Sequence, residues 1–116
     1  PPSLAQAIEI NARIHATGRF EPEDRARIAE HANCGHPRMR AVRMQFLAEF
    51  LLFAGDPDEA LTWIAKSVDA GLQDHLWLER CPLLAPLRER PEFRELAVRV
   101  ASRARAVIAA VEAIVY

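Results

Sequence analysis

The chain has 116 residues, of which 51% are hydrophobic and 27% charged, and its formal net charge at neutral pH is -1. This composition excludes a disordered acidic or basic tail, and a chain of this length can form one domain with its own core, without a disulfide or structural metal. A nearly neutral chain also lacks the excess of Lys and Arg that sequence-independent phosphate binding requires. We therefore expect neither nucleic acid nor a membrane as partner.

The first third of the chain predicts two helices. Ser3 is suited to cap a helix that continues to about Thr17. The second helix is expected to start near Pro22, because proline fits the first helical position and two acidic residues follow it at the positive end of the helix dipole. It ends by Gly35. The apolar residues that the first helix would bury are Leu4, Ala7, Ile8, Ala12 and Ile14.

The third predicted helix, from Pro37 to Ala54, is apolar on nearly every side. A helix of this kind belongs in the middle of a bundle, where neighbours cover it from several directions. One side carries Met44, Leu47 and Leu51, and another carries Phe46, Phe50 and Phe53.

Capping residues and helix-ending residues predict the boundaries of the remaining helices. Asp56 can cap a fourth helix, with Pro57 at its first position and Glu59 at its third. After Gly71 the pattern changes to a short helical piece that ends near residue 90, and a long helix starts at Pro91. Since no stretch alternates apolar and polar residues as a strand does, we expect an all-α domain of six or seven helices.

Residues 41–74 resemble a tetratricopeptide repeat, which is a pair of antiparallel helices packed through small residues. The matching residues are Leu47, Ala48, Leu51, Gly55, Asp56 and Ala60, and the departures are Met44, Ser67 and Leu72. The resemblance implies antiparallel helix pairs stacked as a short right-handed superhelix. Within a single domain, 1–116, it implies a degenerate first pair over about 1–35, a repeat-like pair over 37–74 and closing helices over 75–116.

The segment from Trp77 to Leu96 resembles the closing segment of tetratricopeptide arrays in large bacterial signalling proteins, such as multidomain Ser/Thr kinases, nucleotide cyclases and transcriptional regulators. This resemblance implies a regulatory piece of a longer protein that binds a protein or peptide and performs no catalysis. In such a repeat, the groove-facing positions of the first helix fall here on Gln45, Glu49 and Leu52. We expect these three residues to contact the partner.

An alternative function is homodimerisation through the last helix, which has almost no polar face after Arg105. Such a helix must be covered by its own domain, by a neighbouring domain or by a second copy. The expected dimer contacts are Val107, Ile108, Val111, Ile114 and Val115.

A second alternative is a metal- or redox-responsive sensor built around His31, Cys34 and His36, with Cys81 or His75 as further ligands. Their spacing matches no standard zinc pattern, so we expect neither a metal nor another cofactor. We expect no enzyme, because the sequence has no Gly-rich phosphate loop and no nucleophile elbow. Two widely separated cysteines form no disulfide framework, which favours the reducing cytoplasm.

Overall fold

The structure is a computed structural model that describes residues 2–115, so the predicted domain ends, Pro1 and Tyr116, lie outside the described residues. Over this range the chain forms six α-helices and one 3-10 helix and no strand, which confirms the prediction of an all-α fold. The helices are α1 (Leu4–Thr17), α2 (Pro22–Ala32), α3 (Pro37–Phe53), α4 (Pro57–Asp69), α5 (His75–Arg80), the 3-10 helix (Pro82–Leu87) and α6 (Pro91–Val115).

The helices begin where the sequence places their caps. The Ser3 hydroxyl accepts a hydrogen bond from the backbone N–H of Gln6, and the Gln6 side chain accepts one from the Ser3 backbone. Asp56 caps α4 by accepting from the backbone N–H of Glu59 at 3.3 Å. The Glu59 carboxylate does not complete a capping box, because it contacts Arg25 instead.

The helix α3 lies in the middle of the fold, as its sequence predicts, and its neighbours include α1, α2, α4 and the 3-10 helix. The chain reverses at Gly55, whose φ of 83° is the left-handed conformation that glycine adopts without steric cost. Ser67 near the end of α4 then hydrogen-bonds to Ala41 near the start of α3, so the two helices are antiparallel. Their shared core consists of Ala41, Met44, Leu47, Ala48 and Leu51 from α3 and Ala60, Trp63, Ile64, Ser67 and Val68 from α4.

The predicted buried face of α1 is wrong in part. Leu4 and Ile8 are 69% and 59% exposed, and Ala12 is exposed as well, whereas Ile10 and Ile14 are fully buried. The helix carries two apolar stripes, and only the stripe that faces α2 and α3 has a neighbour to cover it. On α3 the second apolar side is covered only in part: Phe50 packs against the core and contacts Phe20, whereas Phe46 and Phe53 are exposed.

The closing helices bury Leu78, Leu84, Leu87, Phe93, Leu96 and Val100. The guanidinium of Arg103 donates to the carbonyl oxygens of Val68 and Leu72 at 2.9 and 2.8 Å, which fixes α6 to the end of α4. Ala104 is the last buried residue, and 105–115 are exposed throughout. No helix within residues 2–115 is long and apolar enough to cross a membrane.

Candidate interaction surfaces

The side of α3 that faces away from α4 carries a row of exposed apolar side chains. Met39, Val42, Phe46 and Phe53 are 50%, 41%, 52% and 43% exposed. They are separated by three, four and seven residues, the spacing that places side chains on one side of a helix. This row is therefore a continuous apolar ridge on the surface.

The helix α1 lies beside this ridge and runs in the same direction as α3. At one end the imidazole ring of His15 stacks on Phe53, with 4.9 Å between centroids and 23° between planes. Arg13 near the end of α1 pairs with Asp24 near the start of α2 at 2.8 Å, and Arg25 near the start of α2 pairs with Asp56 just after α3 at 2.8 Å. Both α1 and α3 therefore run opposite to α2.

Because α1 and α3 are parallel, residues that precede His15 and Phe53 by the same number of positions lie at the same height along the two helix axes. Two turns back, Ile8 is level with Phe46, and three turns back Leu4 is level with Val42. The exposed stripes of the two helices thus form one apolar surface. We call it the α1–α3 face, and it consists of Leu4, Ile8, His15, Met39, Val42, Phe46 and Phe53.

The three partner-binding residues predicted from the sequence lie at the edge of this face. Gln45, Glu49 and Leu52 are all half-buried. The Glu49 carboxylate accepts a 2.8 Å hydrogen bond from the indole N–H of Trp77, so it already has a partner inside the chain. The neighbouring Phe46 and Phe53 are more open. The sequence does indicate that Met39, Val42, Phe46 and Phe53 share one side of a helix, because they recur at helical spacing. It does not indicate which apolar side of α3 remains exposed in the folded chain.

A second exposed apolar surface is the α6 tail, which we define as residues 105–115. Its predicted dimer contacts are Val107, Ile108, Val111, Ile114 and Val115, with exposures of 41%, 53%, 53%, 85% and 65%. The packed side of α6 runs through Ala97, Val100 and Ala104 and continues, in alternating steps of three and four residues, through Val107, Val111 and Ile114. The same stripe that packs on the domain thus extends past it.

The metal candidates occupy the turn between α2 and α3. The Cys34 carbonyl accepts from Arg43 at 2.7 Å, and the His36 ring accepts from the Arg38 backbone N–H at the start of α3. Burial and the nearby positive charge of Arg43 lower the pKa of His31. Among residues 2–115, no three His, Cys, Asp or Glu side chains gather as a metal-binding group, and Cys34 and Cys81 are free thiols.

No protein-family model, curated protein or solved structure matches the chain. A functional proposal therefore depends on its exposed surfaces.

Proposed function

We propose that this chain is a non-catalytic protein-interaction module that holds its partner on the α1–α3 face. The proposal rests on one observation: six large apolar side chains, each at least 41% exposed, lie together on two parallel helices. Exposed apolar patches of several hundred Å² mark interaction sites on soluble proteins. Phe46 and Phe53 supply the aromatic anchors that dominate binding energies at such surfaces.

The partner that fits the face is an amphipathic helix. The backbone N–H and C=O groups of α1 and α3 are already paired within their helices, so the face cannot add a strand through main-chain hydrogen bonds. Binding energy must come from apolar side chains, and the partner's backbone has to be satisfied internally when it is buried. A helix with apolar residues at three- and four-residue spacing meets both conditions.

In this proposal the helix pairs α1–α2 and α3–α4 stack as a right-handed tetratricopeptide-like superhelix within a larger bacterial signalling protein. The parallel course of α1 and α3 and the reversal at Gly55 support such stacking. The free thiols of Cys34 and Cys81 support a reducing, cytoplasmic setting. Gln45 and Leu52 would border the bound helix.

A displayed peptide library tests the binding function. We expect selection on the wild-type chain to enrich amphipathic helical sequences that lose at least about tenfold in affinity against Phe46→Glu, because a charge on the face would be buried without a partner. The matched control is Val98→Glu, since Val98 is 66% exposed but lies on α6 outside both surfaces. Enrichment that survives Phe46→Glu would overturn the proposal. It would also be overturned if neither the wild type nor Val111→Glu, a variant of the α6 tail, enriched any helical peptide.

Self-assembly is a second candidate function, favoured by the α6 tail. Five exposed Val and Ile side chains on a helix that projects from the domain need a covering surface. The metal- and redox-sensor alternative has no comparable support in the described part of the chain, because its candidate ligands do not form a group.

A further inference from the structure

The α6 tail is not covered by the helices that the structure describes. The helix is continuous from Pro91 to Val115 and contains neither Gly nor an internal Pro at which it could bend back. Arg103 fixes its course by binding the carbonyls of Val68 and Leu72 at the end of α4. Residues 105–115 therefore extend beyond the part of the domain that the structure describes, and no described residue covers them.

The tail and the α1–α3 face match in length and in chemistry. At 1.5 Å per residue, residues 105–115 extend about 15 Å, and the face from Leu4 to His15 extends about 16 Å. The tail presents a narrow ridge of Val and Ile flanked by alanines, whose small side chains allow close approach to both α1 and α3. Its charged residues, Arg105 and Glu112, lie off the Val107–Ile114 stripe, and the face has no Asp, Glu, Lys or Arg among its members, so the central contacts join apolar side chains.

We propose that a second copy of this chain occupies the α1–α3 face, with the α6 tail of each copy lying between α1 and α3 of the other. This inference rests on the proposed binding function of the face and names its partner. It also assigns the helix that this face recognises, because the tail is itself a helix whose Val and Ile side chains recur at the required three- and four-residue spacing.

The area available favours this reciprocal arrangement over pairing of the two tails. A stable interface uses about 20–30 residues per side to bury about 800 Å² on each partner. In reciprocal docking, every copy contributes six large apolar side chains of the face and five of the tail, together with the alanines between them. The surface buried is then on the order of 1,000 Å² in total, which is the lower limit for a specific interface. Pairing of the tails alone uses about half as many residues and stays in the range of nonspecific contacts.

Complementation between two variants tests the arrangement. Phe46→Glu places a charge on the α1–α3 face and leaves the tail unchanged. Val111→Glu places a charge on the tail and leaves the face unchanged. In sedimentation experiments we expect a wild-type dimer with a dissociation constant of about 1–100 µM, weakened at least tenfold in each variant. An equimolar mixture of the two variants regains one of the two contacts, about half of the interface, so its association is weaker than that of the wild type but stronger than that of either variant alone. We therefore expect labelled Val111→Glu to gain anisotropy when Phe46→Glu is added at several hundred micromolar, and to gain none when more unlabelled Val111→Glu is added. Val98→Glu dimerises like the wild type.

Three results would overturn the inference. A wild-type monomer at several hundred micromolar excludes the dimer, and a Phe46→Glu chain that remains dimeric shows that the tails pair with each other. A mixture that associates no more strongly than either variant alone at several hundred micromolar excludes docking of tail on face. Circular dichroism checks that each variant is folded, and Ile8→Glu and Ile114→Glu replace any variant that is not.

The same variants separate this inference from the binding function. Val111→Glu carries a free face, so the peptide library is selected on it as well. If the wild type is monomeric but Val111→Glu still enriches helical peptides that Phe46→Glu rejects, the face binds a different protein and only the dimer is wrong. If neither behaviour is seen, both proposals fail.

Discussion

The hydroxyl of Ser67 donates a 2.8 Å hydrogen bond to the carbonyl oxygen of Ala41, across the interface between α4 and α3. Ser67 is 0% exposed and Ala41 4%, so the bond lies in the core. A serine here needs an acceptor, because a buried hydroxyl without one is costly. The Ala41 carbonyl provides it and fixes how far α4 slides along α3.

Ser67→Ala should lower the free energy of unfolding by about 0.5–1.5 kcal/mol, the net value of one such hydrogen bond. The loss is modest because the Ala41 carbonyl keeps its bond within α3. Ser67→Val should cost about 1–3 kcal/mol, since the site is already closely packed. Urea denaturation measures both changes. Ser102→Ala, on the exposed side of α6, is the control, and an equal loss there would show that the effect does not belong to the core site.

Arg25 joins the α1–α2 loop to the α3–α4 turn. Its guanidinium donates to Asp56 at 2.8 Å, to Glu59 at 3.0 Å and to the Phe20 carbonyl at 2.8 Å. We expect Arg25→Ala to destabilise the fold by about 1 kcal/mol, because these groups are partly exposed and solvent screens their charges. The exposed Arg27→Ala is the matched control, and denaturant unfolding at neutral pH should show no comparable loss there.

The same contact gives a pH dependence with a defined sign. The hydrogen bond from Arg25 lowers the pKa of Asp56. The contribution of the Arg25–Asp56 contact to stability is therefore fully present above the ordinary Asp pKa. It is lost as the pH falls through the lowered pKa of Asp56. The stability difference between wild type and Arg25→Ala should shrink in acid, and a difference that stays constant in acid would contradict this account.

His31 should produce a separate pH dependence at higher pH. Burial and the charge of Arg43 lower its pKa, so the folded chain binds fewer protons than the unfolded chain just below pH 6.5. The contribution of His31 to the free energy of unfolding is thus highest above pH 6.5. It decreases as the pH falls from there to below the lowered pKa. His31→Gln should remove this slope between about pH 5 and 7. Thermal melts across that range measure it, and His36→Asn, which keeps a capping acceptor, should retain the slope.

The helix boundaries could be predicted because their causes are local. Ser3 and Asp56 cap, proline stands at the first helical position of α2, α3 and α4, and Gly55 takes the left-handed turn. Each of these effects depends on neighbours within four residues, which the sequence displays directly.

The choice of buried face could not be predicted in the same way. On α1, the stripe of Leu4 and Ile8 is as apolar as the stripe of Ile10 and Ile14, and only the positions of α2 and α3 decide which one is covered. On α3, too, the sequence alone does not decide which apolar side packs, so the exposure of Phe46 could not be predicted. On α6 the sequence shows that every face after Arg105 is apolar or alanine-rich apart from Glu112, and therefore that this part needs a cover. Whether it folds back onto its own domain depends on distant packing, so its exposure could not be predicted.

The Glu49 carboxylate joins α3 to both ends of α5 at the edge of the α1–α3 face, because it accepts from the Trp77 indole N–H at 2.8 Å and from the Cys81 thiol at 3.9 Å. Glu49→Ala should free the Trp77 indole, shifting its N–H resonance and speeding its exchange with solvent, whereas Glu49→Gln keeps an acceptor oxygen and should preserve both. The buried Trp63 indole serves as an internal control in the same NMR spectrum. Since α5 closes that edge, Glu49→Ala should also weaken binding on the face, and Glu49→Gln should not. Equal weakening by both would mean that the Glu49 carboxylate contacts the partner directly, as the sequence alone predicts.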